Sequence, residues 1–205
     1  MKYTYILPVV ATLLISCNNS GQKQAQAPKE EFDKQKEEQA IRQMVDDVYK
    51  EVNIRWDESN EGTEFEETME EKYTTEDWQK LYLDLRAIEA EKVAVGNDEG
   101  TYFSEGGNVW TMGSFDQPFT TEIVRVEFAD SKTADVYFWL IPAGNLHLTE
   151  SDAQGPQRLP ILWQMRKVDD KWLIQNFIEG DEDYDYEYDY TEHMKDYIKR
   201  NREGA

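Results

Sequence analysis

The spacing of the apolar residues changes once along this chain, and that change restricts the folds open to it. Between residues 37 and 88 the apolar residues recur every three or four positions, as on one face of an amphipathic helix. Two segments show this spacing: Ile41, Met44, Val45, Val48, Val52 and Trp56 in the first, and Trp78, Leu81, Tyr82, Leu85 and Ile88 in the second. Between residues 123 and 178 the period falls to two, as in strands. Helices followed by a run of strands predict an α+β fold, with N-terminal helices packed on an antiparallel sheet.

Four segments are predicted to be strands, and their patterns indicate how they are arranged. The segments are Ile123–Phe128, Ala134–Ile141, Leu159–Val168 and Trp172–Ile178. On the first strand, alternation puts Val124, Val126 and Phe128 on one face. The second strand is apolar on both faces, which predicts an interior position in the sheet. Asp169-Asp170-Lys171 separates the last two strands and predicts a tight hairpin turn.

The start of the second helix has a capping signal. Thr74-Thr75-Glu76-Asp77 fits a capping box, which predicts that the helix begins there. The acidic segment Asp57–Lys72 before it contains Phe65 and Met69 as its only large apolar side chains. We therefore expect this segment to be a loop or a short, weakly docked helix.

Three parts of this order resemble one known superfamily. They are the leading helices, the strand with Val136–Leu140, and the closing hairpin Met165–Ile174, in which an acidic turn leads into Trp172. Residues from about 37 to 178 are similar in these respects to the nuclear transport factor 2-like superfamily. The resemblance implies a curved sheet wrapped around the helices as a cone, whose mouth serves isomerases, dehydratases and non-catalytic binders. Enzymes of the superfamily usually place an Asp, His or Tyr in the cavity, but no residue here matches such a position, so no catalytic residue is predicted.

The amino terminus has the organisation of a secretion signal. Lys2 precedes the apolar run Ile6–Ile15, which is too short to span a membrane. The run leads into Leu14-Ile15-Ser16-Cys17, which resembles the bacterial lipobox. The resemblance implies that residues 1–16 are a lipoprotein signal peptide, removed before Cys17, whose thiol receives the lipid. An ordinary secretory signal with an incidental cysteine is the alternative.

A lipid on Cys17 would attach the protein to a membrane. Residues 17–36 are expected to be the lipidated cysteine and a flexible tether, because Asn18–Lys29 is polar and has no periodicity. The anchor implies a place in the cell envelope. We expect the periplasm-facing side of the outer membrane, because Asn18–Gly21 lacks the acidic residues that surface-exported lipoproteins often carry after the cysteine in some bacteria.

The net charge of −21 makes some partners unfavourable. Lys and Arg number 22 against 43 Asp and Glu, so phosphate backbones and anionic headgroups are repelled, and nucleic-acid binding is not expected. Cys17 is the only cysteine, which excludes an intrachain disulfide and a catalytic thiol elsewhere. His147 and His193 are too few for a His/Cys metal site, and no hydrolase or phosphate-binding motif is present. No metal and no cofactor are therefore predicted.

Aromatic side chains are the best candidates for the wall of a ligand-binding cavity. The cluster consists of Trp110, Tyr137, Trp139, Trp163 and Trp172. Arg125 and Arg166 alternate with apolar residues on strands and would supply polar anchors. The alternative is that the aromatics form the core and the arginines face solvent. The predicted ligand-binding residues are Trp110, Arg125, Tyr137, Trp139, Trp163 and Arg166.

Residues 179–205 are predicted to be an acidic, tyrosine-rich tail with a short helix. Its carboxylates have the spacing of an EF-hand calcium loop: Asp181, Asp183, Asp185, Glu187, Asp189 and Glu192. Tyr186 stands where that loop needs Gly, so a solvated acidic tail is the alternative.

Three functions follow as hypotheses. The first is a membrane-anchored domain that binds a small molecule or an envelope protein without catalysis. The second is an isomerase or dehydratase that uses a carboxylate or a tyrosine in the cone. The third is a calcium-responsive interaction module that uses the acidic tail.

Overall fold

The computed structural model describes residues 32–55, 57, 64–96, 109–111, 118–142, 158–180 and 187–203. Its elements are α1 (Lys34–Arg55), α2 (Met69–Tyr73), α3 (Glu76–Ala94), β1 (Phe119–Phe128), β2 (Thr133–Pro142), β3 (Leu159–Val168), β4 (Lys171–Glu179), β5 (Tyr188–Asp189) and α4 (Tyr190–Glu203). Helices and a separate antiparallel sheet confirm the α+β class. Residues 1–31, with the predicted signal peptide, Cys17 and most of the predicted tether, lie outside the described residues.

The strands form one curved antiparallel sheet in the order β1-β2-β3-β4-β5, so each strand pairs with its neighbours in the sequence. The predicted interior position of β2 is confirmed, because β2 lies between β1 and β3. Its Val136, Phe138 and Leu140 are buried under the helices, whereas Tyr137 and Trp139 on the other face are half-buried.

Helix α1 begins three residues before its predicted start. The backbone N–H groups of Gln35 and Lys36 each donate to Asp33 Oδ1 at 3.1 Å. Asp33 therefore caps a helical turn inside the segment that was predicted to be tether. The apolar stripe of α1 is buried, as its spacing indicates: Ile41, Val45, Val48 and Val52.

A bulge in β1 reverses one predicted side-chain direction. Val124 is an extra residue between the pairs that Ile123 and Arg125 make with β2. The bulge restarts the alternation one position later, so Val124 is 51% exposed while Val126 is buried. The prediction that Val124, Val126 and Phe128 share one face is therefore wrong at Val124.

The capping box lies one helix earlier than predicted. At α2, Glu71 N–H donates to the Thr68 hydroxyl oxygen at 3.1 Å, and Thr68 N–H donates to the Glu71 carboxylate at 2.9 Å. At α3 the N-cap is Thr75, whose side chain makes no cap hydrogen bond. The Thr74 hydroxyl, which follows the end of α2, instead donates to the carbonyl of Glu70 in the first turn of α2. The box predicted at the start of α3 is therefore wrong.

Aromatic rings fill the space between the sheet and the helices. The Trp163 indole is fully buried and stacks on the Tyr49 ring, with centroids 5.8 Å apart. Trp163 also meets Phe138 at 4.9 Å and Phe177 at 5.9 Å, and Trp78 of α3 meets Phe177 at 5.1 Å. Such ring pairs add to the stability that burial of apolar area provides. These rings form the core of the domain.

The end of the predicted acidic tail belongs to the core as well. Four side chains of α4 are buried: Tyr190, Met194, Tyr197 and Ile198. The Tyr197 hydroxyl donates to Glu89 of α3 and accepts from Lys92 Nζ at 2.7 Å. Burial, followed by the bond to Glu89, raises the pKa of Tyr197. The domain therefore extends beyond its predicted end at 178, because α4 contributes an apolar face that packs on α3 and β4.

Candidate binding groove

A two-residue turn joins β3 to β4 and forms one end of the candidate site. Val168 pairs with Lys171, so only Asp169 and Asp170 lie in the turn, which confirms the predicted hairpin. Their φ angles are 47° and 64°, and positive φ at both central residues is characteristic of a type I′ turn. Aspartate adopts this backbone conformation more readily than most residues.

Glu37 of α1 binds this hairpin to the helix. Its carboxylate accepts hydrogen bonds from Lys167 Nζ at 2.8 Å and from Trp172 Nε1 at 2.7 Å. The hydrogen bond from Lys167 is the largest influence on the pKa of Glu37, which is lowered although burial opposes the shift. Glu37 is therefore ionised at neutral pH and holds the start of β4 beside α1.

A groove of about 810 Å³ lies between α1, the start of β4 and the region of α2. We call it the α1–β4 groove. Its wall on α1 runs from Ala40 to Ile54, a length of about 21 Å at 1.5 Å per residue. The other walls are formed by Asp170, Lys171, Trp172 and Leu173 of the hairpin and by Phe65, Lys72 and Tyr73. The volume lies in the range of ligand-binding sites.

Apolar side chains line much of this groove. Trp172 and Tyr73 are buried at its walls, and Met44 and Leu173 are half-buried. Phe65 is 37% exposed. The Arg55 guanidinium lies 4.0 Å from the centre of the Phe65 ring, which fixes that ring against the end of α1. The groove therefore offers a solvent-accessible apolar surface.

The acidic centre of the groove is already neutralised. Glu51 accepts hydrogen bonds from Arg55, Lys72 and Tyr73, the last at 2.7 Å. Burial alone would raise the pKa of Glu51, but the hydrogen bonds from Lys72, Tyr73 and Arg55 together lower it. Glu51 is therefore an ionised carboxylate whose charge is balanced within the protein.

Two lysines of the groove have no carboxylate partner among the described residues to balance their charge. Lys50 and Lys171 are exposed, and neither makes an ion pair with a carboxylate in the part of the chain that the structure describes. The remaining lining carboxylates are partly engaged. Asp47 accepts a hydrogen bond from a glutamine side chain at 3.0 Å, and Asp170 lies 3.8 Å from Lys167. The groove therefore combines an apolar surface with two ammonium groups that are available to an anion.

Two of the six predicted ligand-binding residues lie in the core. Trp110 and Trp163 are buried, and each contacts Phe177, at 5.1 and 5.9 Å respectively. Trp110 also donates from its indole nitrogen to Glu70 at 2.9 Å. These two indoles therefore pack the interior of the domain.

The other four predicted residues lie on the opposite face of the sheet. Arg125, Tyr137 and Trp139 line a cavity of about 140 Å³, which is smaller than most ligand sites. The Arg125 guanidinium stacks 3.6 Å from the centre of the Tyr137 ring and pairs with Glu127 at 3.1 Å. Arg166 is exposed on β3. The structure therefore does not bring the six predicted residues together in one site. The aromatic cluster predicted from the sequence also included Trp172, and this is its one member that lines the α1–β4 groove.

Only part of the segment with the predicted calcium-loop spacing lies within the described residues. Asp181, Asp183 and Asp185 lie outside the described residues. Asp189 caps α4 by accepting from Glu192 N–H at 2.9 Å, and it also accepts from an asparagine amide of β4 at 2.9 Å. Among the described residues, no group of three or more His, Cys, Asp and Glu side chains is arranged to hold a metal ion.

Two further observations bear on the sequence-based expectations. His193 stacks on the Tyr188 ring at 3.9 Å, and His147 lies outside the described residues. Of the helices that the structure describes, none combines the length and the apolar character needed to cross a membrane.

Sequence reasoning misses the lysines that distinguish the groove. A weak local signal exists on α1, where the apolar residues Ala40, Met44 and Ile54 lie beside the buried stripe, although polar residues separate Met44 from Ile54. No local signal marks Lys50 or Lys171, which are far apart in the sequence and line the same groove only because the hairpin docks on α1. Comparisons of this chain with protein-family models, curated proteins and solved structures found no match.

Proposed function

We propose that this protein is a lipid-anchored envelope lipoprotein whose domain binds, without catalysis, a ligand with an apolar body and an anionic group. The α1–β4 groove is the binding site in this proposal. The observation that carries it is the pair of unbalanced cations, Lys50 and Lys171, beside the apolar side chains of the groove. Because a chain of net charge −21 repels anions at long range, anion binding depends on local cations of this kind.

The anchor and the architecture belong to the same proposal. The segment Leu14-Ile15-Ser16-Cys17 supports a lipid on Cys17. The lack of acidic residues in Asn18–Gly21 supports a location at the periplasm-facing side of the outer membrane. Leading helices and a curved antiparallel sheet are consistent with a cone-shaped domain related to the nuclear transport factor 2-like superfamily. The aromatic packing around Trp163 favours the groove over the interior of such a cone as the binding site.

Binding is favoured over catalysis by the ionisable pair in the groove. An isomerase-type enzyme would use a carboxylate and a tyrosine such as Glu51 and Tyr73. The pKa of Glu51 is lowered overall, whereas burial, followed by the hydrogen bond to Glu51, raises the pKa of Tyr73. A carboxylate held ionised and a phenol held protonated are poorly matched to proton transfer near neutral pH.

Dodecanoate is a suitable probe, because it has an apolar tail and one carboxylate. Calorimetric titration of the full-length chain below micellar concentration is expected to show binding. The Lys50→Glu/Lys171→Glu double variant is expected to weaken that binding about tenfold or more. Dodecyltrimethylammonium, with the same tail and a positive charge, should not lose affinity for the same variant.

The matched control is Lys80→Glu/Lys199→Glu. It makes the same change in net charge at two exposed lysines outside the groove, and it should bind dodecanoate nearly as the native chain does. Absence of dodecanoate binding by the native chain, or an equal loss in both double variants, would contradict the proposed function.

A further inference from the structure

The hairpin contributes four consecutive residues to the α1–β4 groove, Asp170 to Leu173. Side chains of successive strand residues point to opposite faces of a sheet. A groove that touches Lys171, Trp172 and Leu173 in succession therefore runs along the edge of β4 and does not lie on one face of the sheet. Strand edges carry backbone N–H and C=O groups as well as side chains.

The direction of the hydrogen bonds identifies which residue presents those groups. Lys167 N–H donates across to the Lys132 carbonyl at 2.7 Å, on the side of β3 away from β4. Lys167 pairs with Trp172, so this is a pair without hydrogen bonds between β3 and β4. The backbone N–H and C=O of Trp172 therefore point away from β3, toward the edge.

A second contact on the same edge supports this assignment. Ile174, two residues after Trp172, accepts a hydrogen bond at its carbonyl from Thr75 N–H at 2.9 Å, and Thr74 forms a parallel bridge with Ile174. Strand β5 covers β4 only at Ile178 and Glu179. In the part of the chain that the structure describes, the edge of β4 is thus covered at Ile174, Ile178 and Glu179, but not at Trp172.

We propose that the α1–β4 groove binds an extended peptide segment with acidic side chains, which adds a short strand to the edge of β4 at Trp172. The backbone of the peptide exchanges an N–H and a C=O with Trp172. Its carboxylates meet Lys50 and Lys171, and its apolar side chains contact Met44 and Leu173. This inference rests on the proposed function and names the ligand class for the same groove.

The dimensions and the charges of the groove agree with this occupant. The α1 wall is about 21 Å long, and six residues of extended chain span about 20 Å. Addition of a strand to an open edge is an established mode of peptide recognition, in which main-chain bonds give affinity and side-chain pockets give specificity. Lys50 on the helix wall and Lys171 on the strand wall provide cations on both sides of the bound chain.

The test uses three hexapeptides with blocked ends, titrated into the full-length chain by calorimetry. The first is Val-Val-Glu-Glu-Val-Val, which has one carboxylate and two valines on each face of the extended chain. The second has lysines in place of the glutamates, and the third is the first with N-methyl groups on its two central residues. The valine–glutamate peptide should bind. The lysine peptide and the N-methylated peptide should each bind about tenfold more weakly or worse, because one lacks the carboxylates and the other lacks backbone donors. The Lys50→Glu/Lys171→Glu variant should no longer bind the acidic peptide, and the Lys80→Glu/Lys199→Glu variant should bind it as the native chain does.

The outcomes separate this inference from the proposed function. If dodecanoate binds in the groove and the acidic hexapeptide does not, the peptide inference is overturned and the proposed function stands. If the N-methylated peptide binds as well as the parent peptide, the edge of β4 is not used and the inference fails. If neither dodecanoate nor the peptide binds, both proposals are rejected.

Discussion

Helix α1 faces two edges of the sheet, at β1 and at β4, with different kinds of side chain. At the β1 edge, Asn53 of α1 forms a pair of hydrogen bonds with Phe119: Nδ2 donates to the Phe119 carbonyl at 2.8 Å, and Phe119 N–H donates to Oδ1 at 2.7 Å. Arg42 reaches the carbonyl of Ile123 at 3.5 Å on the same edge. At the β4 edge, α1 presents Met44 and Lys50, and among the described residues no backbone group pairs with the backbone of Trp172.

The difference follows from the side chains on opposite flanks of α1. An asparagine side chain carries an NH2 donor group and a carbonyl acceptor in one plane, so it imitates the peptide group of a neighbouring strand. Methionine has no donor and lysine has no acceptor, so neither is able to satisfy an N–H and a C=O together. An open strand edge is an aggregation hazard that proteins usually cover. The open edge inside the groove is the reason that we propose a ligand there.

The largest effect is expected from removing the carboxylate that holds the open edge against α1. Glu37→Ala leaves the Lys167 ammonium and the Trp172 indole N–H without their partner, so we expect the free energy of unfolding to fall by about 2–4 kcal/mol. Urea denaturation measures this change. Glu38→Ala is the control, because Glu38 pairs with Arg42 at the surface and such pairs are worth less than about 1 kcal/mol. Equal losses in the two variants would show that Glu37 has no special role at this edge.

Acidification tests the same contact in the native chain. Because the pKa of Glu37 is lower in the folded protein than in the unfolded chain, its stabilising contribution is complete above the ordinary glutamate value of about 4.3 and is lost as the pH falls through the folded-state pKa. The stability of the native chain should therefore fall more steeply below this value than that of Glu37→Gln. Parallel curves would contradict the assignment.

An intermediate effect is expected at the closed edge. Asn53→Leu keeps the approximate size of the side chain but leaves the N–H and C=O of Phe119 without partners, at a cost of about 1–3 kcal/mol. Hydrogen exchange at the Phe119 amide should become faster, and self-association should rise because a second edge is opened. Asn53→Asp keeps the acceptor for Phe119 N–H and should lie between the native chain and the leucine variant. Unchanged exchange at Phe119 in the leucine variant would count against closure of this edge by Asn53.

The smallest effect is expected from the turn that ends the open edge. Asp169 and Asp170 both have positive φ, and Asn-Gly is the preferred pair for such a turn. Asp169→Asn/Asp170→Gly should therefore raise the free energy of unfolding by about 0.5–1 kcal/mol, because relief of the positive-φ strain exceeds the entropy that glycine adds to the unfolded chain. Thermal unfolding at several salt concentrations measures the gain. A loss of stability would indicate that the Asp170 carboxylate, 3.8 Å from Lys167, contributes more than the backbone does.

Much of the fold is predictable because it follows from local patterns. The burial of Ile41 and Val45, the interior place of β2 and the turn at Asp169 and Asp170 all follow from residue spacing and turn chemistry. The exposure of Val124 does not, because a bulge depends on how two strands register and leaves the apolar sequence unchanged.

The candidate site was less predictable for a related reason. A pattern in one segment reveals whether a side chain is apolar, but it does not reveal which distant segment lies opposite. Lys50 and Lys171 are ordinary surface lysines in the sequence, and the backbone groups of Trp172 carry no sequence signal at all. The burial of Trp163 was not predictable either, because a tryptophan has the same pattern in the sequence whether it packs a core or lines a cavity.

The order of the strands has a consequence for how this chain folds. Each strand pairs with its neighbour in the sequence, so the sheet assembles largely through contacts between nearby segments. The bonds from Glu37 to Lys167 and Trp172 instead join residues 130 and 135 positions apart. Distant contacts must overcome a larger loss of chain entropy and form slowly. We therefore expect the sheet to form first and α1 to dock late, so the α1–β4 groove is created only in the last stage of folding, and a partly folded chain lacks it.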